Sequence, residues 1–508
     1  MKKSLIALLG SAAMITAASA TSLGILTPNL SDPSSVTFAG ATFVNKGLVG
    51  AGRLPASAED FRGDTLGSFS SMAVVAGSWK RKGDSYTFKL LTLPDRGYNN
   101  GTTYSDYAGR VEKFDVTFTP GTSQTQDRVQ LTPTGGLVFK DLMGHETTGA
   151  NPVAGTMIQH GIVLPSPAPG ALGAGKLSFD GEALSFLKDG SFYVGDEYGA
   201  NIYYFGKDGK MRGVIQAPPS SRSKNAAGEP IFGVNPGDEA ALNTTGRRPN
   251  QGFEGVSVSP DGKTLIAVMQ SADLQDSTAS GNQNRNNTRI FIYDIAKART
   301  PSAPVHEYVL QLPVYRAKGD GGPATATAAQ SEILALNNHQ FLMLTRDGDG
   351  LGKEDGNPLV FKSIFIVEIK GASDIAGSVY DTTNKSIVTS YGELGGVLDA
   401  AITPAQSTEL INLINPAQLA KAGFTTAVTP LNPITPTNRV SEKWESLGLL
   451  PALDKAAPND YFLLVGNDND FLTAAGCHMP GVAACNGKVE NDNMIMVWRV
   501  TLPTYGKN

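Results

Sequence analysis

Gly181-Glu182-Ala183-Leu184-Ser185-Phe186-Leu187-Lys188-Asp189-Gly190-Ser191-Phe192-Tyr193-Val194-Gly195-Asp196-Glu197 is the stretch on which the fold turns. Two short apolar runs flank an Asp-Gly pair, the signature of antiparallel strands joined by a tight turn. The same order returns in Phe253-Glu254-Gly255-Val256-Ser257-Val258, then Asp261-Gly262, then Leu265 to Gln270. It returns again in Ser331-Glu332-Ile333-Leu334-Ala335-Leu336 followed by Phe341 to Asp347. A fourth copy runs from Trp444-Glu445-Ser446-Leu447 to Tyr461 through Asp470. The first two units read as glutamate, small residue, strand, turn, strand and polar end, and the pattern returns in the other two.

A unit repeating at long intervals along an all-β chain points to a β-propeller, whose blades are added around one axis. A β-sandwich also contains many short strands, but it does not predict a glutamate at one recurring place. The copies lie about 70 to 110 residues apart, too far for bare four-stranded blades, so the blades carry insertions. Residues 217–250 and 272–289, rich in Pro, Ser, Asn and Gln, have loop composition. A more divergent unit falls at Ser71 to Arg96. The 57 glycines and 30 prolines suit this turn-rich reading, which predicts six or seven blades. Helical periodicity is clearest from Thr403 to Ala422, where Leu410, Leu413 and Leu419 share one face.

Lys2 and Lys3 precede an apolar run from Leu5 through Ala18, and Ala18-Ser19-Ala20 forms a small-residue cleavage site. Residues 1–20 are therefore expected to be a removed signal peptide, leaving 21–508 as one propeller domain with its motif core at about 65–500. Export to the periplasm or the extracellular space follows, and no later segment has membrane-spanning length. Cys477 and Cys485, close in a Gly/Pro-containing stretch, are expected to form a disulfide in that compartment. The net charge of −5, without any concentrated Lys/Arg stripe, argues against a nucleic-acid partner.

Together, Asp95-Arg96-Gly97, the Glu182 unit ending in Gly195-Asp196-Glu197-Tyr198-Gly199, Phe253-Glu254-Gly255-Val256, the Glu332 unit ending in Arg346-Asp347, and Lys443-Trp444-Glu445 followed by Asn467-Asp468-Asn469-Asp470-Phe471 resemble the phytase-like family, named for an esterase-like activity of phytase. The resemblance implies a propeller and a hydrolase of phosphate or other esters. The chain lacks the run of adjacent carboxylates with which calcium-dependent propeller phytases hold several ions, which speaks against phytate as substrate.

Side chains alternate faces along a strand, so glutamates at one register would occupy equivalent places in successive blades. Glu182, Glu254, Glu332 and Glu445 are then expected to converge on the central channel as catalytic and metal-binding residues. Crowded carboxylates repel unless a cation neutralises them, and an all-oxygen set suits Ca²⁺ first and Mg²⁺ second. Asp95, Asp196, Asp347 and Asp468 at strand ends are further metal candidates, with Arg96 and Arg346 placed to grip a small anionic or ester substrate. An irregular calcium loop through Asp347, Asp349, Glu354 and Asp355 is a further expectation.

There is no Gly-x-Ser-x-Gly elbow, no phosphate loop and no His-Glu-x-x-His. Two other functions fit the same pattern: a non-catalytic ligand- or protein-binding propeller of the cell envelope, and a calcium-dependent lactonase-like propeller using Asn467 and Asn469.

Overall fold

The computed structural model describes residues 25–67, 69–122, 125–233, 243–319, 321–353, 358–426, 435, 437–482, 485 and 489–507. The expected signal peptide, together with Glu354 and Asp355 of the expected calcium loop, lies outside them.

The strands form five blades, each an antiparallel sheet, rather than six or seven. Blade I comprises Ser71–Val74, Ser85–Leu93, Arg110–Phe118 and Val129–Val138, with Lys80–Lys82 added beside the second strand. Blade II comprises Gly181–Phe186, Phe192–Asp196, Asn201–Phe205 and Met211–Gln216. Blade III follows with Phe253–Val258, Thr264–Met269, Asn287–Asp294 and His306–Gln311, and blade IV with Ala329–Ala335, Gln340–Arg346, Lys362–Glu368 and Gln406–Asn412. Blade V closes the ring. Its Lys443–Pro451, Asp460–Asp468 and Asn493–Thr501 are completed on the outside by Ala41–Leu54 and Ser34–Phe38 from the other end of the chain.

The blade count is lower because residues that would build further blades form insertions instead. Small hairpins occupy these segments: Thr156–Gln159 with Ile162–Pro165, Lys224–Asn225 with Asn243–Thr245, Val314–Tyr315 with Ala326–Thr327, and Val388–Gly392 with Gly395–Leu398. The stretch expected to be helical divides in two. Gln406–Asn412 is the outer strand of blade IV, and only Pro416–Leu419 is α-helical, capped by the Asn415 side chain on the Ala417 N–H at 3.0 Å. Leu410, Leu413 and Leu419 are nonetheless buried together, so their spacing reported burial and not helix.

Burial follows the blade faces. Five apolar layers lie between successive blades, with Trp444 and Trp498 in the largest, between IV and V. Strands covered on both faces are apolar at nearly every position; Leu265 through Met269 and Phe341 through Leu344 are fully buried. The Asp-Gly turns read from sequence are present. Gly190 has φ +86°, and the Asp189 carboxylate accepts the Ser191 N–H at 2.9 Å, a geometry open to glycine and closed to most residues.

The first strands of the blades contact one another in cyclic order around the axis. Because every blade is antiparallel, the start of its first strand and the end of its second lie at the same mouth of the channel. The loops after second strands and the connections between blades gather there too, which puts three of the four hairpin insertions there; Val388–Gly392 with Gly395–Leu398 belongs to the connection between the third and fourth strands of blade IV, which leaves from the opposite mouth.

Candidate functional site

The first strands of blades II to V enter the mouth with a β-bulge, and that of blade I pairs in regular register. In blades II, III and V the bulge falls on the repeated glutamate: pairing steps from Gly181 to Ala183, from Phe253 to Gly255 and from Trp444 to Ser446. The extra residue leaves the ladder and its side chain is re-aimed. Glu182, Glu254 and Glu445 therefore line one cavity of about 370 Å³.

Blade IV differs. Its register steps from Gln330 to Glu332, so Ser331 occupies the bulge and Glu332 pairs one residue deeper. Glu332 takes a hydrogen bond from the Ser71 hydroxyl and another from its own Ile333 N–H at 2.8 Å, and it borders a cavity at the opposite mouth. The structure brings three of the four glutamates together and places Glu332 apart.

The second strands contribute another ring. Two residues beyond the position that faces the bulge stand Glu197, Gln270, Arg346 and Asp468 in blades II to V, and in blade I Asp95 stands two residues beyond Leu93, the partner of Ser71. All of these except Asp468 line the same cavity, with Arg96 and Lys443 beside them.

Asp196 sits one residue short of that ring. It accepts the N–H groups of Asp180 at 2.9 Å and Gly199 at 2.6 Å, a latch for the loop that aims Glu197. Asp347 is likewise engaged, by Lys362 Nζ at 2.7 Å and by the N–H groups of Val360 and Phe361 at 2.7 and 2.8 Å. Asn467 and Asn469, the ligands of a lactonase-like reading, are spent on structure. Asn467 bonds Ser441, the Asp492 carbonyl and the Met494 N–H, and Asn469 bonds the Asn491 carbonyl and the Phe471 N–H.

Among the described residues, two groups of carboxylates have oxygens within 4.8 Å of one another: Asp95 with Asp180 and Glu182, and Asp95 with Asp468 and Asp470. Lys443 already serves the second group, reaching Asp468 at 3.1 Å and Asp470 at 2.6 Å. In the first group, Arg96 holds one oxygen of Asp180 at 2.6 Å, while the other is buried without a hydrogen-bond donor and the carboxyl abuts Glu182. Glu197 and Glu254 each present a buried oxygen lacking a donor as well.

Burial, then repulsion from Asp180, Glu254 and Glu197, pushes Glu182 well above the usual carboxylate range. Asp95 is raised by burial and then by Asp468 and Asp180. Asp468 is pushed up to about 8, mainly by burial, against the pull of Lys443. Burial works to discharge Arg96, but Asp180, Tyr198 and Asp95 together hold it charged.

Asp180, Glu197 and Gln270 were not singled out from sequence. Glu197 lies within the quoted motif directly after Asp196, and the strand register is what distinguishes the ring member from the latch.

Residues 66–471 match the phytase-like family, described as esterase-like activity of phytase. An uncharacterized secreted protein of Arthroderma benhamiae is 32% identical over 466 residues, covering 86% of this chain and 88% of the relative. Among solved structures, the major allergen Mala s 1 of Malassezia sympodialis is 10% identical, with 92% of this chain and 88% of that chain covered at a TM-score of 0.29. A luciferin-regenerating enzyme is 9% identical, with 86% and 93% covered at a TM-score of 0.26. At those TM-scores neither likeness carries an argument. The family match, over most of the blade-forming sequence and with a secreted relative beside it, is decisive: this chain belongs to the phytase-like family.

Proposed function

We propose that this protein is an exported, metal-dependent hydrolase of phosphate or other esters, working at the carboxylate-rich mouth of the propeller. The observation that carries the reading is the Asp95, Asp180 and Glu182 cluster, buried at the wall of a cavity large enough for a small substrate. The pair Asp180 and Glu182 is favourable only with a proton or a cation between its oxygens. The oxygen-only donor set suits a hard divalent ion, Ca²⁺ before Mg²⁺, with Asp95, Asp180 and Glu182 as the residues that would hold it. Such an ion, when bound, supplies Lewis acidity toward an ester oxygen and lowers the pKa of water.

The surrounding residues have separable tasks. Arg96 fixes Asp180, assisted by Asn250, and Arg346 fixes Glu445, so both arginines orient carboxylates. Gln270 donates to one oxygen of Glu254, and the other is buried without a hydrogen-bond partner. Burial, then Glu197 and Glu445, keeps Glu254 protonated well above the ordinary range, which suits it to hand a proton to a departing alkoxide. The disulfide between Cys477 and Cys485 and the secreted relative support export; no helix among the described residues is long and apolar enough to cross a membrane.

The test is turnover by purified protein of phosphomonoester, phosphodiester, carboxylester and lactone substrates, with and without a chelator. Hydrolysis that chelation abolishes and added Ca²⁺ restores is the expected result. Ligand binding without turnover would instead identify a binding propeller, and chelator-insensitive hydrolysis would remove the metal from the account.

A further inference from the structure

The cations around the cavity are not equivalent. Arg96 is committed to Asp180, Arg346 to Glu445, and Lys443 to Asp468 and Asp470. Arg285 also lines the cavity, from the far side, in the turn Gln283–Arg285 between the second and third strands of blade III. Among the described residues its side chain has no hydrogen-bond acceptor and no carboxylate partner, and its Nε is buried with nothing to donate to. Arg248 stands behind it, next to the lining residues Asn250 and Gln251, and among the described residues its side chain bonds only the Ser277 hydroxyl, at 2.8 Å. Burial lowers the pKa of both, that of Arg248 to about 10, with repulsion from Arg285 adding to it.

A guanidinium half-buried in a cavity wall loses part of its hydration and is ordinarily paired, and a second one beside it raises the penalty. The neighbours of Arg285 in the wall, Gln251, Ser271, Asn282 and Thr327, are neutral and polar. They can hydrogen-bond a ligand without competing for the cation. The opposite wall has carboxylates in excess. The cavity is thus polarised, with the carboxylates of Asp95, Glu182, Glu197, Glu254 and Glu445 at the strand ends and an unneutralised guanidinium at the turn Gln283–Arg285 of blade III.

We infer that Arg285, backed by Arg248, is an anion-recognition subsite, and that the ligand of this cavity carries an oxyanion, phosphate or carboxylate, remote from the Asp95, Asp180 and Glu182 cluster. Arginine's planar fork suits two-point contact with either oxyanion. Seated this way, the ligand places its uncharged or reacting part against the acidic wall. The inference deepens the hydrolase reading by naming its substrate class, and so rests on it for the word substrate, while the binding itself can be decided separately.

Binding of inorganic phosphate and of succinate to the full chain, measured by calorimetry with chelator present, isolates this subsite from any metal. Wild-type protein should bind at least one of them, and the tighter of the two names the preferred oxyanion. Arg285→Gln should weaken that binding about tenfold or more, the scale of losing charge-assisted hydrogen bonds, and Arg285→Lys by less. No binding by wild-type protein, or equal binding by an Arg285→Gln variant of unchanged melting temperature, overturns the inference. A kinetic arm compares 4-nitrophenyl hemisuccinate with 4-nitrophenyl butyrate: Arg285→Gln should raise KM for the charged ester at least about tenfold more than for the neutral one. Should neither ester turn over, the carboxylester branch of the hydrolase reading fails while the calorimetry still decides the subsite.

Discussion

Two buried clusters of acids sit in blades II and III with opposite designs. Beside blade III, Arg289 lies completely enclosed and bonds Asp276 at 2.8 Å, Glu307 at 2.6 Å and the Tyr380 carbonyl at 2.9 Å, with Asp273 at 3.2 Å. None of these side chains is more than 1% exposed. At the channel mouth, Asp95, Asp180 and Glu182 are just as deep, but they adjoin an open cavity and outnumber the cations that serve them. The first cluster carries its own cation and ties insertions to a blade: Ser221 bonds Asp273 at 2.6 Å, and the Ile387 N–H bonds Asp276 at 2.9 Å. Burial alone therefore does not make carboxylates a site. Access and unneutralised charge do.

The sharpest way to break the comparison is to remove the built-in cation. Arg289→Ala leaves several carboxylates buried without a partner and should destabilise the fold by about 3–5 kcal/mol. Urea unfolding followed by tryptophan fluorescence measures it; a loss under about 1 kcal/mol would mean the enclosed cluster is no latch.

Glu182→Gln is the matching change at the mouth. The amide can still donate to Asp180, so metal-free stability should stay within about 0.5 kcal/mol of wild type. What should vanish is stabilisation by added Ca²⁺, which for wild-type protein amounts to about 2.7 kcal/mol when the ion is a hundredfold above its Kd. Paired melting curves with Ca²⁺ and with chelator give the answer, and an equal Ca²⁺ shift in both proteins would move the ion elsewhere.

Titration sharpens the contrast further. Burial pushes Glu307 up to about 8 despite Arg289, and Asp273 to about 7. Glu112 beneath blade I rises to about 8 by burial and the nearby Asp60. An unfolded chain releases these protons near pH 4 while the folded chain keeps them, so the unfolded state binds fewer protons between those limits. Metal-free stability should therefore fall as pH rises from about 4 to about 8, each such group contributing a slope of up to about 1.4 kcal/mol per pH unit. At the mouth the sign reverses for the ion, because Asp95 and Glu182 must shed protons to bind it, and the Ca²⁺-induced shift in Tm should grow over the same range. Glu307→Gln should flatten the first trend and leave the second untouched.

Much of this was legible from residues alone. Repeated Glu, Asp-Gly and apolar runs specify strand pairs, and a strand pair that recurs specifies a propeller. Blade number was not legible, because an insertion and a weak blade look alike where local pattern fades; residues 139–180 and 312–328 contain hairpins that belong to no blade. The mouth was legible in part, since Glu182, Glu254 and Glu445 share a register that the repeat exposes. Asp180 and Arg285 lie just outside the repeating unit, in connections whose course depends on tertiary packing. Sequence alone offers no period that would have found them.

Glu332 gives the smallest expected effect and the most specific check on the register argument. In the repeat it aligns with Glu182, Glu254 and Glu445, but the bulge of blade IV falls on Ser331, one residue earlier. The carboxyl is thereby turned down the channel, where the Ser71 hydroxyl meets it and also accepts the Leu184 N–H at 2.9 Å, joining blades I, II and IV. Burial holds Glu332 well above the ordinary carboxylate range, opposed by those hydrogen bonds, which favours its neutral form. Glutamine has nearly the same shape and the same neutrality. Glu332→Gln should accordingly change stability by less than about 1 kcal/mol and leave turnover and the Ca²⁺ shift at wild-type values. Glu254→Gln, one blade away and identical in the sequence pattern, should lower kcat by about a hundredfold, the scale of a lost proton donor. If the two variants behave alike, the bulge is not what selects the glutamates of the mouth.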